Sequence, residues 1–394
     1  MAPDPVDPIH PDDVAPRDLS DDLHRVIAGL RPRPAVWLPA IDGWLVIGHP
    51  EATAVLRDAT TFTVDDPRFS TARVLGPSML STDGDEHRRH RRPFLPLFDR
   101  RSVAERAGAV VESGARELVT GLAAEGRADL RHRLAAPLAV RTIIDVLDLD
   151  VDDDVMLTWY RDLVAGVEAV SAGEDVPTTA SIAADRLRRR VWERADDPSS
   201  PLGRIAADGS LTPEALFANS AVAAFGAIET GEAMTANALW HLLAEPTWLD
   251  RLRSRPDLVA PVIEESLRLE PAAAVVDRYA TADATIGDAR IPAGDLVRVS
   301  LTGANRDPRI FAEPDRFDPH RSYGGRHLSF VPGPHACIGA HLARAATTAA
   351  VRAVLDGLPD LAIDGDASSP PSGAIFRKPP ALVATWSPRR PDGP

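Results

Sequence analysis

Phe330-Val331-Pro332-Gly333-Pro334-His335-Ala336-Cys337-Ile338-Gly339 is the most informative segment of the chain. Cys337 is the only cysteine among 394 residues, so neither an internal disulfide nor a four-thiolate metal site is open to it. A free cysteine is ordinarily a small buried hydrophobe. Its neighbours argue for chemistry instead. Gly333, between Pro332 and Pro334, makes a rigid, tight loop whose backbone N–H groups can turn inward. Gly339 then opens an apolar stretch, His341-Leu342-Ala343-Arg344-Ala345, that reads as a helix start. A thiol just ahead of a helix N-terminus meets the positive end of the macrodipole, which favours the thiolate.

The whole chain is 44% hydrophobic and 26% charged, enough to bury a large core as one big domain or two ordinary ones. The pattern forces no split: it reads as a flexible, acidic, proline-rich tail over residues 1–20 and a single domain over 21–394. The tail lacks the basic start and apolar core of a secretory signal. No apolar run is long enough to span a bilayer, and one cysteine in a soluble chain suits a reducing cytoplasm. A net charge of −14 argues against a general nucleic-acid partner. The run His87-Arg88-Arg89-His90-Arg91-Arg92 reads by default as a solvated helix face.

Asp42-Gly43 between apolar runs predicts a hairpin over residues 35–48, and Pro50 starts a short helix. Residues 58–81 read as a long loop of functional type. Helical periodicity covers 85–97, 103–125, 133–147, 152–171 and 177–195. Residues 196–210 read as another loop. Thr212-Pro213-Glu214 is a capped start for a helix running to about Glu245, apolar on all sides around Ala221–Ile228 and therefore buried. Shorter helices follow at 247–253 and 256–269, then strands within 274–300, an irregular stretch over 305–336, a helix from Cys337 to about Leu355, and short strands near 362 and 381–386.

Glu229-Thr230 sits in the buried centre of the long helix. Burying a carboxylate and a hydroxyl without partners costs roughly 1–3 kcal/mol or more. The structural reading bonds Thr230 back to the preceding turn and Glu229 to an internal Arg; the functional reading is a proton relay. Glu265 and Arg268 stand at i and i+3. By default they are a surface pair worth about 0.2–0.5 kcal/mol.

Taken in order, these segments resemble cytochrome P450, of the soluble bacterial kind. Phe-x-x-Gly-x-x-x-Cys-x-Gly is similar to that family's haem-ligand signature, and thiolate ligation favours O–O cleavage there. Gly226-Ala227-Ile228-Glu229-Thr230 resembles its acid–alcohol signature, with the two small residues exchanged and Gly231 where a second Thr is frequent. Asn305-Arg306-Asp307-Pro308, Phe311 and Phe317-Asp318-Pro319-His320-Arg321 extend the likeness, which runs from about residue 35 to 386. Val331 departs from it, since bacterial members commonly have Gly after the Phe.

The resemblance implies a mainly α fold, a triangular helical prism with a small β-rich region. It implies haem b ligated by Cys337, with Phe330 and Gly339 in the ligand loop and His87, Arg91, Arg278 and His335 toward the propionates. Glu229 and Thr230 become the catalytic relay. Glu265, Arg268 and Arg321 become a structural ion-pair network. The implied pocket draws Phe69, Val74, Leu75 and Met79 from the loop, Val222, Phe225 and Gly226 from the long helix, Ala273, Ala274 and Val275 after Leu269, and Ile375 and Phe376 from the final turn, with a mobile lid over 167–177. The implied reaction inserts one oxygen atom of O₂ into a small organic substrate, a hydroxylation in secondary or natural-product metabolism. No reductase domain follows residue 386, so electrons are expected from a ferredoxin and an NAD(P)H-dependent ferredoxin reductase, docked on Arg88, Arg89, Arg92 and Arg344. No nucleic acid or membrane is expected. The alternatives are a haem-thiolate oxidase or peroxygenase that dehydrogenates or couples phenols, and an inactive module that recruits a partner.

Overall fold

The computed structural model describes residues 7–171, 173–321 and 326–389. The first six residues of the expected tail and Ala172 in the expected lid lie outside them. Eight helices and five strands carry the argument below. The helices are α1 (Gly84–Arg91), α2 (Gly108–Leu122), α3 (Ala136–Leu147), α4 (Asp153–Ser171), α5 (Thr178–Ala195), α6 (Pro213–Ala244), α7 (Val259–Leu269) and α8 (Ala340–Gly357). The strands are β1 (Ala35–Leu38), β2 (Gly43–Val46), β3 (Phe62–Thr63), β4 (Val275–Ala280) and β5 (Leu296–Ser300). The chain divides into two compact units, each discontinuous in sequence.

One unit comprises residues 1–63, 233–337 and 360–386. Its sheet has the order β1-β2-β5-β4-β3. β1 and β2 form the hairpin foreseen from Asp42-Gly43, with Trp37 opposite Trp44 and Asp42 in the left-handed region at φ 47°. β2 and β5 pair in parallel, Trp44 with Val297 through Val46 with Val299. Val55, Leu56, Val297, Val299 and Leu301 form the core beneath.

The other unit comprises residues 64–232, 338–359 and 387–394. It is helical, with Phe94, Ile143, Leu147, Leu187, Phe217 and Ile228 at its centre. Near the fully apolar middle of α6 the helix needs no polar face, which is why its composition there loses amphipathic spacing.

Four expectations change. Within residues 1–20, read as tail, the chain forms a turn at Pro11–Asp13 and begins a helix at Pro16–Asp21, and Val14 and Leu19 are buried. Pro16 at the first helical position and the Asp18 carboxylate on the Ala15 N–H (2.9 Å) make a helix start of what looked like a breaker. The loop over 58–81 contains β3 and a helix at Ser70–Leu75, ended by Gly76 at φ 90°. The loop over 196–210 contains a helix at Pro201–Ala207, capped by Ser200 Oγ on the Gly203 N–H at 2.7 Å. The expected helix over 85–97 ends at Arg91, where Pro93 and Pro96 force a 3₁₀ turn and a separate short helix at Leu95–Phe98.

Candidate functional site

The Cys337 loop is built by two hydrogen bonds. The Val331 N–H donates to Leu328 O and the Cys337 N–H to Phe330 O, both at 2.8 Å. Gly333 closes the loop at φ 90°, and a methyl group there would stand 2.4 Å from Leu56 O. Only glycine meets both conditions. Val331 adopts φ 43°. A β-branched residue in this region is an outlier and costs about 1–2 kcal/mol. Its side chain packs on the cluster containing Leu56 and Leu328. The Cys337 thiol is exposed, and Phe330 and His335 are half-buried. Gly339 is the N-cap of α8, and a methyl group there would meet nothing within 4 Å.

On α6, Thr230 Oγ donates to Gly226 O at 2.5 Å, the back-bond to the preceding turn. A methyl group on Gly226 would meet no heavy atom within 4 Å, so the helix faces open space there. Glu229 is buried, and its carboxylate accepts a hydrogen bond from the hydroxyl of Tyr160 on α4. Burial first, then the Glu229 charge, raises the Tyr160 phenol well above its ordinary range. An internal Arg does reach this helix: Arg131 Nε donates to Glu232 Oε1 at 2.6 Å. Nothing local in sequence links Tyr160 or Arg131 to α6, whereas Glu232, three residues after Glu229, was open to helix-face spacing.

Among the expected cationic residues, Arg278 lies buried in β4, donating to Asp277 O at 2.7 Å. His87 is buried and Arg91 half-buried on α1. On the same helix Arg88 pairs with Asp85, and Arg89 with Glu86 and the Ser210 carbonyl (2.8 Å). Arg92 is exposed, and Arg344 reaches Ala340 O at 3.4 Å.

Glu265 and Arg268 are both fully buried rather than a surface pair. Arg268 donates to both Glu265 oxygens at 2.8 Å and to the carbonyls of Asn305, Pro314 and Arg316, under the face of Phe311. Glu265 Oε1 also accepts from the Asp318 N–H at 2.9 Å and Arg321 Nε at 3.3 Å.

The expected pocket residues divide between the units. In the helical unit Leu75, Met79 and Val222 are buried, while Phe69, Val74, Phe225 and Gly226 are half-buried. Met79 is fixed by Asn219, whose Oδ1 accepts its N–H at 2.7 Å while Nδ2 lies 2.8 Å from the His90 ring. In the sheet unit Ala274 and Val275 are buried and Ala273 bridges to Phe376. Ile375 is 45% exposed. A cavity of about 720 Å³ in that unit, lined among others by His241, Glu270, Arg306, Phe317 and Arg377, includes none of the expected site residues.

The Cytochrome P450 family model matches residues 204–357. Nocardicin C N-oxygenase of Nocardia uniformis subsp. tsuyamanensis is 32% identical, covering 93% of this chain and 96% of its own. Cytochrome P450 monooxygenase PikC of Streptomyces venezuelae is 33% identical, covering 88% of this chain and 86% of its own. The crystal structure of CalO2 has a TM-score of 0.86 at 27% identity, over 97% of this chain and 100% of that one.

Proposed function

This chain belongs to the cytochrome P450 family and is a monooxygenase, and we propose that it hydroxylates a small organic molecule of secondary metabolism with a haem held by Cys337. The observation that carries the reading is the Cys337 loop: an exposed thiol on a loop closed by Phe330 and Gly333, immediately ahead of α8. The donor set suits the group. A thiolate is a known axial ligand of haem iron, open space lies beside Gly339 and Gly226, and Arg278 and His87 are buried side chains able to meet anionic propionates. His335 and Arg91 complete that set.

When bound, the haem supplies the activation of O₂ and the transfer of one oxygen atom to substrate. Glu229 and Thr230 hold protons at a carboxylate and a hydroxyl one residue apart and pass them inward from solvent. The apolar residues Phe69, Val74, Leu75, Met79, Val222 and Phe225 of the helical unit bind substrate by shape and exclude water. A ferredoxin with its NAD(P)H-dependent reductase supplies electrons; Arg92 and Arg344, together with the partly compensated Arg88 and Arg89, give it a basic surface. Among the described residues no helix is long and apolar enough to cross a membrane.

The likeness to an N-oxygenase favours a second outcome, oxygen transfer to a substrate nitrogen. Both are tested by screening ligands for a haem spin-state shift and turning over the best with isotopically labelled O₂. A product carrying one labelled oxygen on carbon supports hydroxylation. One on nitrogen supports the second reading. Desaturation or coupling without label overturns both.

A further inference from the structure

α6 places two carboxylates in the interior of the helical unit, and their surroundings differ. Glu229 is 8% and Glu232 4% exposed. Three residues apart, they share a helix face, and two buried anions so placed each need a partner. Glu232 has a counter-ion in Arg131 at 2.6 Å. Glu229 accepts from the Tyr160 hydroxyl. A phenol hydroxyl that donates to a carboxylate fixes the orientation of the oxygen it meets.

Tyr160 does a second thing. Its ring packs against Phe225, centroids 6.1 Å apart and planes tilted by 47°. Phe225 lies one helical turn before Glu229 on α6. One side chain of α4 therefore touches both the residue expected to face substrate and the acid expected to carry the proton. Because the phenol stays protonated through the neutral range, it remains a donor to Glu229 whatever the pH of turnover.

We infer that Tyr160 is a positioning residue that links the pocket side chain Phe225 to the carboxylate of Glu229, so that a molecule packed on Phe225 sets the orientation of the proton carrier. This rests on the relay reading of Glu229. Tyr160→Phe keeps the ring on Phe225 and removes only the hydroxyl. In the holoprotein, with a substrate found by its spin-state shift, Tyr160→Phe is expected to leave the carbon-monoxide spectrum and substrate Kd unchanged. Product formed per NAD(P)H should fall about five-fold or more, with peroxide appearing in its place.

A second readout is independent of turnover. The chain has three tyrosines, and in an alkaline absorbance titration Glu229→Gln should bring the ionisation of one of them to lower pH, because the repelling charge is gone while the burial remains. That advance should be absent from the Tyr160→Phe/Glu229→Gln double variant, whose coupling should be no worse than that of Glu229→Gln alone. If Glu229→Gln uncouples turnover but Tyr160→Phe does not, or if no tyrosine moves, the inference about Tyr160 is overturned. If Glu229→Gln itself stays fully coupled, the relay reading fails and takes the inference with it.

Discussion

Replacing Glu265 by Gln removes one charge from the most deeply buried ion pair described here and changes almost nothing in shape. Arg268 would be left a cation at zero exposure. It keeps the carbonyls of Asn305, Pro314 and Arg316 and the face of Phe311. It loses two charge-assisted bonds of 2.8 Å, and the Asp318 N–H and Arg321 Nε lose the anion they share. Breaking a buried pair costs about 3–5 kcal/mol; the surviving carbonyls place this case near 3 kcal/mol. With an unfolding entropy of about 2.1 cal/mol/K per residue over a chain of this length, that lowers the melting temperature by roughly 4 °C. Calorimetry on Glu265→Gln, Arg268→Met and the double variant measures it. The double variant should be less destabilised than the sum of the singles, because removing both charges leaves none uncompensated. Single losses under about 0.5 kcal/mol, the value of an exposed helix pair, or strict additivity, would refute the reasoning.

Gly333→Ala should destabilise the ligand loop by about 2 kcal/mol or more and lower haem retention, since φ 90° and a Cβ 2.4 Å from Leu56 O leave no room; unchanged haem content on gel filtration would contradict this. Burial lowers the pKa of His241, with Arg306 adding to the effect and Glu270 opposing it, to about 4. The folded state binds fewer protons than the unfolded one between about pH 6.5 and 4, so its stability is full above that window and is lost as pH falls through it. His241→Gln should flatten this acid loss, on the order of 2–3 kcal/mol, in denaturant midpoints recorded against pH. Phe225→Ala should extend acceptance to bulkier substrates and alter regioselectivity with a normal carbon-monoxide spectrum; an identical product profile would place Phe225 outside the cavity.

What the sequence revealed follows the range of the interactions involved. The hairpin at Asp42-Gly43 and the long helix from Thr212 rest on local chemistry, turn conformation and capping, and were legible. So was the Cys337 loop, where glycine, proline and a following helix lie within ten residues. The Ser200-Pro201 cap was equally local but was masked by the surrounding Ser, Pro and Asp. Pro16 misled in the other direction, because a proline starts a helix as readily as it breaks one. The partners of buried charges were not legible. Glu265 and Arg268 carry no mark of burial in their spacing, and Tyr160, sixty-nine residues before Glu229, becomes its donor only when α4 packs on α6. Val331 was visible as an oddity, and its left-handed backbone gives the oddity a physical content.

The central claim is that Cys337 binds haem iron as a thiolate. The reduced carbon-monoxide difference spectrum of the purified holoprotein, set beside that of Cys337→His, tests it most directly. The native protein should give the long-wavelength band of a thiolate ligand, and the variant, whose imidazole donates less charge to the iron, should lose both the band and monooxygenase activity while still binding haem. A native protein without the band, or a variant that keeps it, would contradict the assignment.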